Sequence, residues 1–207
     1  MIIDLQDERG KFDFERSHPY IYQMELDPRI IQQFMAALPG VRRAVKQLVT
    51  AHAAQAVAVS QLNFNRLPQY FPANFLNRAK VVVVKKMPVL PLDQFGLSQL
   101  SGQLPDGIGL TLNDTVFVRQ GSEESDSLHF HELVHVAQWQ CLGVDRFLIA
   151  YGVGLVQFGY RQSPLEEMAY SLQKDFDRGS VANDLLVAID RGCDALWKQI
   201  LPLLPRI

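Results

Sequence analysis

From Glu123 onward the apolar residues Phe130, Leu133, Val134, Ala137 and Cys141 fall at spacings of 0, 3, 4, 7 and 11, one stripe of a helix turned toward a core. Beside that stripe His131, His135 and Gln138 fall at 0, 4 and 7, a second and polar line on the same helix. Gly143 predicts the end of this helix, and Asp145 is placed to cap the next. Just upstream the period changes. Val81 to Val84 is a β-branched run, Ile108 to Leu112 alternates, Asn113-Asp114 has turn chemistry, and Thr115 to Arg119 alternates again. This pattern predicts a β-hairpin directly before the helix.

The N-terminal part reads as helical. Residues 1–27 lack a clear period and are expected to form an ordered arm or a short strand. Asp27 as N-cap and Pro28 in the first helical position open a helix that should run through Leu38 and stop at Pro39-Gly40. A second helix is expected from about Val41 to Leu62, with an Ala-rich middle suited to close helix packing. His52 has no partner at metal-ligand spacing and is expected to be a packed or surface residue. Asn63 to Lys80 reads as irregular, anchored to the core by Phe71 to Leu76. The expected class is α+β and mostly helical, in one domain over 1–207: an arm at 1–27, a helical layer at 28–80 and a site-bearing region at 81–207.

Charge and composition narrow the partners. A net charge of −2 without any long Lys/Arg run gives no electrostatic footprint for nucleic acid. The most apolar stretch, Phe147 to Tyr160, has 14 residues with three glycines. That is short of the roughly 20 needed to cross a bilayer, so it is expected to be a buried helix or a cleft wall, and no membrane span is expected. Cys141 and Cys193 are the only cysteines, too few for a disulfide framework, and acidic residues break up the first apolar positions where a signal peptide would lie. The expected compartment is cytoplasmic.

The polar line carries the chemistry. His131-Glu132-Leu133-Val134-His135 on a helix places two imidazoles on one face, where they can bind one Zn²⁺ with Glu132 beside it as a general base. A third protein ligand is required. Cys141 stands six residues beyond His135, but a continuing helix puts it in the apolar stripe. Glu166 and Glu167, at the start of a helix opened by Ser163-Pro164, are the better candidates. Spacing alone leaves Glu166 about evenly divided between a ligand and the third position of a capping box.

The pairing of His-Glu-Leu-Val-His-Val-Ala-Gln at 131–138 with Pro-Leu-Glu-Glu-Met-Ala-Tyr at 164–170 resembles the gluzincin branch of zinc metallopeptidases. It is most similar to small bacterial domains described as metallopeptidases and often found near toxin or contractile-injection genes. The resemblance spans about residues 105–175. It implies a zincin-like lobe, Glu166 as the third zinc ligand, and a peptide or protein as substrate. Many gluzincins carry Asp where this chain has Tyr170, so the group that orients a ligand imidazole is expected to be weaker or to come from elsewhere.

The expected activity is peptide hydrolysis by a metal-activated water with Glu132 as base. Tyr160, Arg161, His129 and Tyr170 are the candidates for stabilising the oxyanion, and Thr115 to Arg119 or its hairpin partner for holding an extended substrate. Two other readings fit the same residues. One is a non-catalytic zinc-binding domain serving protein-protein assembly, and the other a metal-free helical interaction protein.

Overall fold

The computed structural model describes residues 27–101 and 107–205. The arm expected at 1–27 therefore lies, but for Asp27, outside the described residues. The described chain is α+β and mostly helical. Six helices, α1 (Pro28–Ala51), α2 (Ala73–Arg78), α3 (Ser98–Ser101), α4 (Asp126–Phe158), α5 (Pro164–Arg178) and α6 (Leu185–Ile200), accompany four strands. The strands are β1 (Val57–Ala58), β2 (Lys80–Val84), β3 (Gly109–Leu112) and β4 (Thr115–Arg119).

α1 begins as expected, with the Asp27 carboxylate accepting from the Arg29 backbone N–H at 2.9 Å and Pro28 in the first turn. It does not stop at Pro39-Gly40. One helix runs through Pro39 to Ala51, because Ile31, Phe34, Ala37, Val41, Ala44 and Val45 keep a single buried stripe across that point. Packing against α4 outweighs the one backbone hydrogen bond that a proline removes. Gly40 serves contact rather than termination: a Cβ there would lie 2.6 Å from the Phe95 ring. The helix expected as far as Leu62 ends instead at Ala51, where His52 caps it. The His52 ring donates from Nδ1 to Leu48 O at 2.8 Å and stands edge-on to Phe117 at 5.1 Å. It is a packed histidine.

The sheet has the order β1-β2-β4-β3. β3 and β4 form the expected antiparallel hairpin, and Asn113 takes the positive φ (60°) that its two-residue turn requires. The parallel pairing of β2 with β4, Lys80 to Thr115 through Val84 to Arg119, places β4 inside the sheet and leaves β3 at its edge. Residues 63–80 include α2, and an aromatic cluster ties this segment to α4 and α5. Phe130 stacks on Phe176 at 4.3 Å, Phe71 and Tyr70 pack against Phe130, and Arg66 lies 3.8 Å over Phe176.

α4 is the axis of the fold, packed against α5, α6, α1 and β3. Gly143 breaks it, with φ 72° and ψ 168°, a conformation open to glycine at little cost. The first half carries the two histidines, and the second is the apolar stretch foreseen as a buried helix or cleft wall. By length and composition alone the 33 residues of α4 are apolar enough to cross a membrane. Asp145 does not act as the expected cap; its carboxylate meets Arg42 of α1 at 3.1 Å, a pair half exposed on both sides and worth little.

Candidate metal centre

On the first half of α4 every side chain from His129 to Trp139 is buried, so the polar line of His131, His135 and Gln138 is enclosed together with the apolar stripe. α5 runs alongside, beginning at Ser163-Pro164. The capping box available to this sequence is not formed: the Ser163 hydroxyl makes no cap bond, and Glu166 turns toward α4. Its Oε2 lies 3.5 Å from His131 Nε2 and its Oε1 3.5 Å from His135 Nε2. The two Nε2 atoms are 3.1 Å apart. Among the described residues, His131, His135 and Glu166 form a buried cluster that could hold a metal ion. Cys141 and Glu167 are not part of it. Cys141 donates from Sγ to Gln138 O at 3.3 Å and packs against the core, as its place in the apolar stripe implies.

Ring orientation explains why this cluster suits a cation. Gln138 Nε2 donates to Leu165 O at 2.9 Å, which turns its Oε1 to accept from His135 Nδ1 at 2.8 Å. Gln173 repeats the arrangement on α5, donating from Nε2 to Ser127 Oγ at 2.9 Å and accepting from His131 Nδ1 at 3.1 Å. With both Nδ1 atoms committed as donors, each neutral imidazole presents the bare lone pair of Nε2 to the other and to Glu166. Three such acceptors in a buried space repel one another unless a cation or a proton lies between them. Glu166 Oε2, buried without a hydrogen-bond partner, is part of the same unpaired set.

The electrostatics agree with the geometry. Burial alone would depress His135, but the Glu166 carboxylate outweighs it and the ring is pushed up to about 9. Burial likewise opposes ionisation of Glu166, and the two imidazoles override it, holding the carboxyl far below its ordinary range. In the absence of an ion a proton takes its place.

Glu132 faces β3. Its Oε2 accepts from Thr111 Oγ1 at 2.7 Å, and the Thr111 hydroxyl also lies 3.1 Å from Glu132 O. Gly109 makes room for the carboxylate: a Cβ there would collide with Oε1 and come within 2.8 Å of Cδ. Glu132, His135 and Glu166 border a cavity of about 620 Å³ enclosed by α1, the segment after β2, β3 and the second half of α4.

The four residues considered for oxyanion stabilisation separate. Tyr160 borders the cavity with Glu166. Burial and the Glu166 charge push its phenol up, so it keeps its proton and remains a donor. Tyr170 lies against the His131 ring at 4.5 Å, and Arg161 sits 4.1 Å over Tyr170. His129 does not border the cavity. It is buried against Phe64 and donates from Nδ1 to Ser125 O at 2.9 Å, and burial depresses its pKa.

Four residues here escape sequence reading. Tyr151 donates to Glu166 Oε1 at 2.7 Å from the middle of the apolar stretch. Thr111 and Gly109 have a signal only in their alternation along β3. Gln173 has a clearer one, since Glu166, Tyr170 and Gln173 are spaced 0, 4 and 7, as are His131, His135 and Gln138. No protein-family model matches the chain, and neither curated proteins nor solved structures give a match.

Proposed function

We propose that this chain is a zinc-dependent metallopeptidase of the gluzincin type, with His131, His135 and Glu166 as ligands and Glu132 as general base. The observation that carries the proposal is the convergence of three buried ligand side chains: the two Nε2 atoms lie 3.1 Å apart, and each lies 3.5 Å from one of the two oxygens of Glu166. Tetrahedral zinc with bonds of ~2.0–2.1 Å separates neighbouring ligand atoms by roughly 3.3 Å, and each of these three contacts is close to that spacing. Two imidazoles held by amide oxygens and one carboxylate form a catalytic rather than a structural donor set, since the fourth direction has no protein ligand among the described residues. When bound, zinc supplies Lewis acidity, polarising a carbonyl and acidifying water.

The chain's own groups account for the rest. Thr111 pins Glu132 Oε2, so Oε1 is the proton acceptor. The proton it takes from the attacking water passes to the departing amine as the C–N bond breaks, and the water oxygen remains on the acyl carbon. Tyr160, kept as a phenol, donates to the oxygen of the carbonyl under attack. Among the described residues β3 is the edge strand next to the site, whereas β4 is paired on both sides, so an extended peptide adds to β3.

Elemental analysis of brief-chelator-treated wild type, Glu166→Ala and Glu167→Ala is the first test. Near-stoichiometric zinc in the wild type and Glu167→Ala, with none in Glu166→Ala, is expected. Iron in place of zinc, or no metal taken up, would sink the proposal. The catalytic part is tested by peptide cleavage: Glu132→Gln should lose about 10²–10⁴-fold in kcat with zinc content unchanged. Gly109→Ala should act similarly by displacing the Glu132 carboxylate, at little cost in stability because the displaced atoms end a flexible side chain. Wild type that holds zinc but hydrolyses neither peptides nor other amides would instead favour the non-catalytic assembly domain.

A further inference from the structure

The cavity beside the metal centre is larger and more apolar than one peptide side chain requires. At about 620 Å³ it falls in the range that encloses a whole small-molecule ligand. Its polar groups include Glu132, His135, Glu166, Tyr151 and Tyr160 beside the metal centre, with Thr111 bound to Glu132, while Lys85, Lys86, Ser101 and Arg119 also reach the lining. Away from them the walls include Leu38 and Val41 of α1, Leu97, Leu100, and Phe147 and Leu155 of α4. These side chains offer no hydrogen bond. A peptide amide drawn among them would go unpaired at a cost of several kcal/mol, whereas every methylene buried there is favourable. One wall is a ladder of near-parallel rings: Trp139 on Phe147 at 4.0 Å and Phe147 on Tyr151 at 5.7 Å. It leads to the Tyr151 hydroxyl that holds Glu166, so an apolar chain lying along it ends at the ligand cluster.

Resting on the metallopeptidase reading, we infer that the cavity takes a long hydrocarbon chain attached to the scissile carbonyl, making the substrate class an N-acylated peptide or amine. Peptide backbone on the amine side runs along the open edge of β3, and the acyl chain fills the apolar cavity.

The test is a series of straight-chain hydroxamates, from acetyl to dodecanoyl, titrated calorimetrically into zinc-loaded full-length protein. A parallel series of alkanoates is titrated into zinc-free protein. Affinity should rise by about fourfold per methylene well beyond the length of any natural side chain, in both series. Leu38→Asp, at a half-buried position away from the ligands, should flatten the rise and leave acetohydroxamate binding unchanged. If this variant fails to fold, the wild-type series decides alone. A rise that stops at the short members, or 3-phenylpropanoyl hydroxamate binding as tightly as dodecanoyl, overturns the inference in favour of an ordinary side-chain pocket. So does a flat series, which would also be the result if another part of the chain fills the cavity. Hydroxamates that bind no tighter than alkanoates of the same length, both series still gaining with length, would remove the metallopeptidase reading and leave the acyl cavity standing.

Discussion

His131, His135 and Gln138 on α4 and Glu166, Tyr170 and Gln173 on α5 share the spacing 0, 4 and 7 and face each other across the candidate site. On α4 the first two positions bring imidazoles and the third an amide that fixes the nearer ring. On α5 the first brings a carboxylate, the second a phenol ring against His131, and the third the amide that fixes the ring across the gap. The surroundings differ more than the roles. The α4 line is enclosed on all sides, whereas α5 is an amphipathic helix with Lys174 and Asp177 on its outer side. A polar line inside a helix buried all round has no solvent to explain it and marks a site; the same line on an amphipathic helix looks like an ordinary polar face.

Substituting matched positions should break the parallel most sharply. His135→Ala removes a candidate ligand and should abolish metal content, while Tyr170→Phe at the corresponding place on α5 should retain it, both read by elemental analysis. The paired amides sharpen the comparison. Gln138→Leu should weaken metal binding by about 100-fold and Gln173→Leu by about tenfold, measured against a competing chelator. Gln138 is fully buried, and its loss also strands Leu165 O, costing about 1–3 kcal/mol in a denaturant titration. Equal effects would mean that burial does not distinguish the two helices. The smallest effect is in pH. His135, raised from 6.5 to about 9, stabilises the metal-free fold fully below 6.5 and loses that contribution as pH rises through 9. Glu166, depressed from 4.5, contributes above 4.5 and loses its share in acid. Thermal melts of metal-free protein should therefore peak between these limits, and the alkaline decline should vanish once metal displaces the proton.

The same contrast governs what could be read in advance. The pairing of His131 with His135, the β3-β4 hairpin, the Asp27 cap and the break at Gly143 were legible because local pattern and tertiary placement agree there. Glu166 was not separable from a capping residue by spacing, since only the partner helix decides where its carboxylate turns; resemblance chose it. Pro39-Gly40 misled because a continuous buried stripe overrode a local stop signal and because Phe95, remote in sequence, needs a glycine to lie against. Tyr151 was hidden in a stretch whose composition reads as core. The parallel β2-β4 pairing is a long-range contact with no local signature.

The placement of the ligands also has a kinetic consequence. His131, His135 and Glu166 lie within one stretch that runs from the first half of α4, across the break at Gly143, to the first turn of α5. Closing that stretch costs less chain entropy than docking α1 onto α4, whose connection is longer. An ion captured there early in folding would therefore template the surface on which α1 docks.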